Sequence, residues 1–211
     1  LSWLPGNLFL DNSEARYREK VPRIIETKDG PQWWAEGEVL GVANAAGHGF
    51  SAPIRGQRHR TDRMFDAGFY DGRPHPADPE LRLNDMILDG VDGEILYGIT
   101  GTGARLKDHD VITTVYRIYN DWVADFCQTY PGRWYGLACI PIHDPILAAK
   151  EITRCADLDM IRGADLNASE VTHPIYTRDG HWDPLWQALD ETRTSLSFHV
   201  GGGRIPVPLP P

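Results

Sequence analysis

The chain has few cysteines, and those it has do not form a framework. Cys127, Cys139 and Cys155 are odd in number and no two stand at CxxC spacing. That usage excludes a disulfide scaffold and fits a reducing compartment, so a cytoplasmic protein is expected. Long apolar runs are missing as well. No stretch approaches the ~20 residues of a membrane helix, and Leu1-Ser2-Trp3-Leu4-Pro5 lacks the basic start of a signal peptide. Positive charge is short: 21 Lys and Arg face 30 Asp and Glu, for a net charge of -9. Without a basic stripe, binding to a nucleic-acid backbone is not expected. HxH, HExxH, Walker A and GxSxG motifs are all absent. Gly101-Thr102-Gly103 lacks the third glycine of a dinucleotide fingerprint, which weakens a nucleotide-binding reading.

What is present describes a folded domain. Hydrophobic residues make up 41% of the 211 positions, and seven Trp and eight Tyr supply large buried area. Residues 1–76 read as an irregular region of hairpin and covering loop, and residues 77–211 as βα repeats of the same domain. Arg23–Thr27 and Gln32–Glu36 flank an Asp29-Gly30 turn and predict a hairpin. The stretch from Gly41 to Arg73 reads as one long loop.

Farther on, strands and helices alternate. Asp78-Pro79, Asp144-Pro145 and Asp183-Pro184 each read as a helix start, with Asp as cap and Pro at the first helical position. The first helix is expected to turn Leu83, Met86 and Ile87 inward and to end at Gly90. A helix from near Asp110 carries Val111, Val115, Ile118, Trp122 and Phe126 at helical spacing. The Pro145 helix is expected to bury Ile146, Ala149, Ile152 and Ala156, and the Pro184 helix Leu185, Ala188 and Leu189. Between these lie short apolar strands at 94–99, 134–140, 161–166 and 195–200. Such strands need cover on both faces, which crossover helices provide for parallel sheets. The class is α/β, and periodicity leaves open a closed (β/α)8 TIM barrel or an open doubly wound sheet.

Reacting groups in parallel α/β folds gather at the C-terminal ends of strands. His199 sits at such an end, before three glycines, where a neutral imidazole can bind a metal or act as a base. Asp165 and Asn167 close the preceding strand, and Asp165 is a candidate catalytic acid or partner of a site residue. His143 follows another strand and is a candidate catalytic residue at the pocket mouth; its neighbour Asp144 reads as a helix cap. His48, His59 and His75, with Arg55, Arg58 and Arg60, could reach over a pocket and grip an anion. His173 and His181 have no metal-ligand spacing, His109 falls near a helix start, and Cys139 reads as core.

Ordered segments carry a family resemblance: Arg82–Met86 through Asp89-Gly90-Val91-Asp92 to Ile95-Leu96-Tyr97; Tyr119-Asn120-Asp121-Trp122; Pro131-Gly132-Arg133; Gly136-Leu137-Ala138; Arg162-Gly163; Trp182–Trp186; and Ser197–Gly201. Together they resemble the amidohydrolase-related family (amidohydrolase 2), which includes aminocarboxymuconate-semialdehyde decarboxylase. The resemblance implies a (β/α)8 barrel and a divalent metal, commonly zinc. It implies ligands on the first, fifth and eighth strands and a further histidine after the sixth. If the strands here are the second to fifth, His199 falls where the family places its metal histidine. Met86-Ile87 departs from the family's frequent Met-Asp, and Gly98 from its frequent proline. The chain is expected to be part of a longer protein and inactive alone. The implied activity is hydrolysis of a small carbonyl or carboxylate compound by metal-activated water, with non-oxidative decarboxylation as the alternative. A catalytically incomplete interaction module is the reading from another class. A small-molecule substrate is the expected partner, and a homo-oligomer is compatible with everything above.

Overall fold

The computed structural model describes residues 4–28, 30–42, 50–51, 58–59, 78–168, 171 and 173–199. Helix α1 (Leu8–Asn12) precedes an antiparallel sheet of β1 (Arg23–Thr27), β2 (Gly30–Ala35) and β3 (Glu38–Val42). The expected hairpin is there, with Thr27 paired to Gly30. The third strand, β3, was not expected, and its last two residues, Gly41 and Val42, open the stretch that read as loop. Its turn is a two-residue one, Glu36 at φ 49 and Gly37 at φ 85, as tight hairpins require. The Glu36 carboxylate accepts hydrogen bonds from the backbone N–H groups of Lys107 and Asp108, which ties the hairpin to the body of the chain. Two-residue strands β4 (Phe50–Ser51) and β5 (Arg58–His59) pair antiparallel.

The body consists of α2 (Pro79–Asp89), β6 (Glu94–Leu96), α3 (Thr100–Gly103), α4 (His109–Gln128), β7 (Trp134–Cys139), α5 (Pro145–Ala156), β8 (Ile161–Asn167), α6 (Asp183–Thr192) and β9 (Leu196–His199). Strands β6 to β9 form one parallel sheet in sequence order. Local chemistry sets the helix starts. The Asp78 side chain accepts from the N–H groups of Glu80 and Leu81, and that of Asp144 from Ile146 and Leu147. Asp183 departs from this pattern: it lies inside α6, and Trp182 holds the cap position without a side-chain capping bond. Gly90, at φ 69, ends α2 with a left-handed turn.

Three inward faces differ from the periodic reading. Ile87 is exposed, and α2 buries Met86. In α5 the buried stripe is Ala148, Ile152 and Cys155, while Ile146 and Ala156 are exposed. Two overlapping apolar phases run along that helix, and packing on β8 selects the one shifted by a residue. Trp122 is only partly buried on α4. The strand expected over 94–99 stops at Leu96, because the chain turns into α3. There Tyr116 occupies the space a Cβ on Gly103 would need, and its hydroxyl donates to the Thr100 carbonyl. Packing thus accounts for a glycine of the Gly101-Thr102-Gly103 run.

Helices cover one face of the parallel sheet. Ala164, Leu166 and Leu196 pack with Ala148, Ile152, Leu185, Ala188 and Leu189 of α5 and α6. On α4, Val111, Val115, Tyr119, Val123 and Phe126 pack in one core with Trp134 and Leu96, and this core continues to Phe9, Val21 and Trp33 of the N-terminal region. Asn120 joins the layers. Its amide donates to the Cys139 carbonyl (3.0 Å) and to Glu151 Oε1 (2.7 Å), and its oxygen accepts from the Cys139 N–H (2.8 Å). The end of β7 is thereby locked to α4 and α5. Asn120→Ala leaves both backbone groups of Cys139 buried and unpaired, so a loss of about 2–4 kcal/mol is expected in guanidinium unfolding. A loss below about 1 kcal/mol would contradict this role.

Candidate metal centre at the strand ends

Strand side chains alternate between faces. Because Ala164, Leu166 and Leu196 point to the helices, Asp165, Asn167, Ser197 and His199 project from the opposite, inner face. The register places Cys139 beside Asp165, Asp165 beside Ser197, and Asn167 beside His199. All of these lie toward the C-terminal ends of their strands, at one mouth.

The structure brings Asp165 and His199 together. His199 Nδ1 lies 3.4 Å from Asp165 Oδ2; the histidine side chain is 40% exposed and the aspartate side chain 0%. Neither Asp165 oxygen has a well-aligned hydrogen-bond partner among the described residues, and His199 Nδ1 is equally buried and unsatisfied. Burial pushes the Asp165 carboxyl above its ordinary range; the nearby His199 and the Gly98 backbone N–H draw it partly back. Cys139 forms the floor beside them, with its thiol accepting from the Ile99 N–H and pushed up by burial. A Cβ on Gly98 would collide with the Cys139 sulfur and come within 3.8 Å of Asp165 Oδ2. Glycine at 98 and cysteine at 139 are thus a matched pair beneath the mouth.

Sequence reasoning missed Tyr97. Its half-exposed ring meets His199 edge-on, with centroids 6.0 Å apart and planes at 78°. The available signal was alternation: Leu96 packs into the helix-side core, so Tyr97, one residue on, is available to the mouth.

His143 has partners of its own. Its ring stacks on His109 at 4.2 Å, and its Nε2 lies 3.5 Å from the Thr113 hydroxyl. His109 is the first residue of α4. His173 and His181 also stack, at 4.1 Å, with Asp179 holding His173 at 2.7 Å. His48, His75, Arg55 and Arg60 lie outside the described residues, and Arg58 and His59 form β5. Partial burial, and then the adjacent His109 ring, lower the His143 pKa from its ordinary value. A lowered folded value means stability that is complete above the ordinary histidine range and is lost as pH falls through the folded pKa. His143→Gln is therefore expected to flatten the fall in unfolding free energy between about pH 7 and 5; an unchanged slope would contradict it.

Comparison with known proteins gives the family and the fold. The family described as "Amidohydrolase" matches residues 42–210. A gamma-resorcylate decarboxylase of a Polaromonas species is 26% identical over 149 residues, covering 64% of this chain and 45% of that protein. The crystal structure of a 5-carboxyvanillate decarboxylase from Novosphingobium aromaticivorans, with bound manganese and a nitrobenzoic acid, is 29% identical. It superposes with a TM-score of 0.53 over 71% of this chain and 39% of its own. An amidohydrolase from Mycobacterium avium subsp. paratuberculosis shares the fold at a TM-score of 0.72, with 13% identity, covering 93% of this chain and 56% of that one. The chain spans less than half the length of the curated relatives it matches. It belongs to the amidohydrolase family, and its parallel strands are part of an incomplete (β/α)8 barrel.

Proposed function

We propose that this chain forms part of a divalent-metal-dependent decarboxylase acting on a hydroxylated aromatic carboxylate, with His199 as one metal donor. The observation that carries the reading is the similarity, at 26–29% identity, to proteins named as gamma-resorcylate and 5-carboxyvanillate decarboxylases. It favours the decarboxylase alternative over the hydrolysis expected first. The donor chemistry fits, since a partly exposed imidazole stands at the strand-end mouth with an acid behind it. Among the described residues no group of three His, Cys, Asp or Glu could hold an ion. Further donors would therefore come from outside them. Zinc was the expected cation, and manganese, held by the Novosphingobium relative, stands beside it.

A divalent cation bound here would supply positive charge beside the substrate oxygens. The residues of the chain have separate tasks. His199 contributes its imidazole. Tyr97 offers a flat, half-exposed ring beside it, against which an aromatic substrate can pack. Helices α4, α5 and α6 pack against the outer face of the sheet. In the reaction the bond between ring carbon and carboxylate carbon breaks. CO₂ leaves, and the ring carbon keeps the electron pair and takes up a proton. His143, held by His109 and Thr113, has no part in this scheme.

The test is to purify the full-length protein with Mn²⁺ or Zn²⁺ and supply gamma-resorcylate or 5-carboxyvanillate. Metal-dependent CO₂ release and the matching phenol are expected by chromatography. His199→Ala should lower kcat/KM by at least about 100-fold with the fold retained, since even the outer partners of metal ligands are worth roughly 10- to 100-fold. Turnover of an amide or ester without CO₂ release would return the protein to the hydrolases. Neither activity would leave the interaction-module reading.

A further inference from the structure

Asp165 is a carboxylate taken out of water, and among the described residues only the Gly98 backbone N–H and one side chain stand near enough to offset its burial. That side chain is His199, whose Nδ1 lies at 3.4 Å. The two residues are diagonal rather than directly opposed: Asp165 registers with Ser197, and His199 with Asn167. Ser197 is short, so the Asp165 carboxylate can reach along the strand toward the imidazole. The ring itself is asymmetric in exposure. Nδ1 is inaccessible to solvent while the side chain as a whole is 40% exposed, so the open edge of the ring is the one that carries Nε2. Tyr97 bounds the ring from another side.

We propose that Asp165 is a positioning residue: the His199 Nδ1–H donates to its carboxylate, which fixes the proton on Nδ1 and leaves Nε2 as the bare nitrogen facing the mouth. Closing the separation by a few tenths of an ångström brings the pair within hydrogen-bond range. Metal-binding histidines generally hold their second nitrogen in this way, and the tautomer and ring orientation follow from it. The inference rests on the reading of His199 as a metal donor, but it concerns the ring before any cation arrives. It also accounts for a buried acid that the helix-sealed core does not need.

The experiment uses this chain, ¹⁵N-labelled and metal-free, in a long-range ¹H–¹⁵N correlation spectrum at neutral pH. The His199 ring is assigned by its loss in His199→Gln. The expected pattern is a protonated Nδ1 and an unprotonated Nε2. Asp165→Leu, which removes the acceptor, should shift the ring to a majority of the Nε2–H form. Asp165→Asn, which keeps an acceptor oxygen, should retain a majority of Nδ1–H. A wild-type ring already in the Nε2–H form overturns the proposal, as does a ratio unchanged in Asp165→Leu. If Asp165→Leu fails to fold, the wild-type and Asp165→Asn spectra decide. Adding Zn²⁺ to the wild-type sample separates the two readings. An Nδ1–H ring whose Nε2 resonance ignores zinc upholds the positioning role and overturns the donor assignment.

Discussion

The alternation of side chains along parallel strands whose outer face packs against helices governs this structure. Once Ala164, Leu166 and Leu196 are committed to the α5–α6 core, Asp165, Ser197 and His199 can point only inward. A slip of one residue in β8 or β9 would drive a carboxylate and an imidazole into that core and turn leucines toward the mouth. The apolar positions therefore aim the polar ones. The site owes its geometry to residues that never touch it.

That arrangement carries a cost. A fully buried carboxylate and a desolvated imidazole nitrogen are held where packing alone would favour apolar groups. The surroundings are correspondingly firm. Asn120 pins the end of β7 through two hydrogen bonds to Cys139 and makes a third to Glu151, and Glu151 and Arg154 extend that network to Asp121. Cys139 and Gly98 fill the floor with no space to spare. The inner face beside β6 is less protected: Ile95, and Tyr97 at the mouth, remain half-exposed, as an incomplete barrel leaves them.

What could be read from the amino acids follows the range of the interactions. The capping at Asp78 and Asp144 was legible because the acceptor lies two or three residues from its donors. The burial phase of α5 was not, because two apolar phases compete and only contact with β8 decides between them. β3 was hidden by a glycine-rich continuation and by a turn whose Glu36 takes a left-handed φ that favours glycine. At the site, strand-end position singled out His199 and Asp165 separately. Their pairing depends on the β8–β9 register, which joins residues far apart in the chain, and on the shortness of Ser197. The His109–His143 stack likewise brings together the start of α4 and the turn after β7, which no local pattern reveals. The family resemblance supplied what periodicity could not, the choice of a barrel over an open sheet.

We propose that a divalent cation meets this chain at the mouth formed by the ends of β8 and β9. Mn²⁺ titrated into the ¹⁵N- and ¹³C-labelled chain broadens resonances near wherever it binds. The account predicts broadening centred on His199, Asp165 and Tyr97 at substoichiometric Mn²⁺. Broadening that spares these residues and spreads over the acidic exterior, or centres on His173 and Asp179, would contradict it.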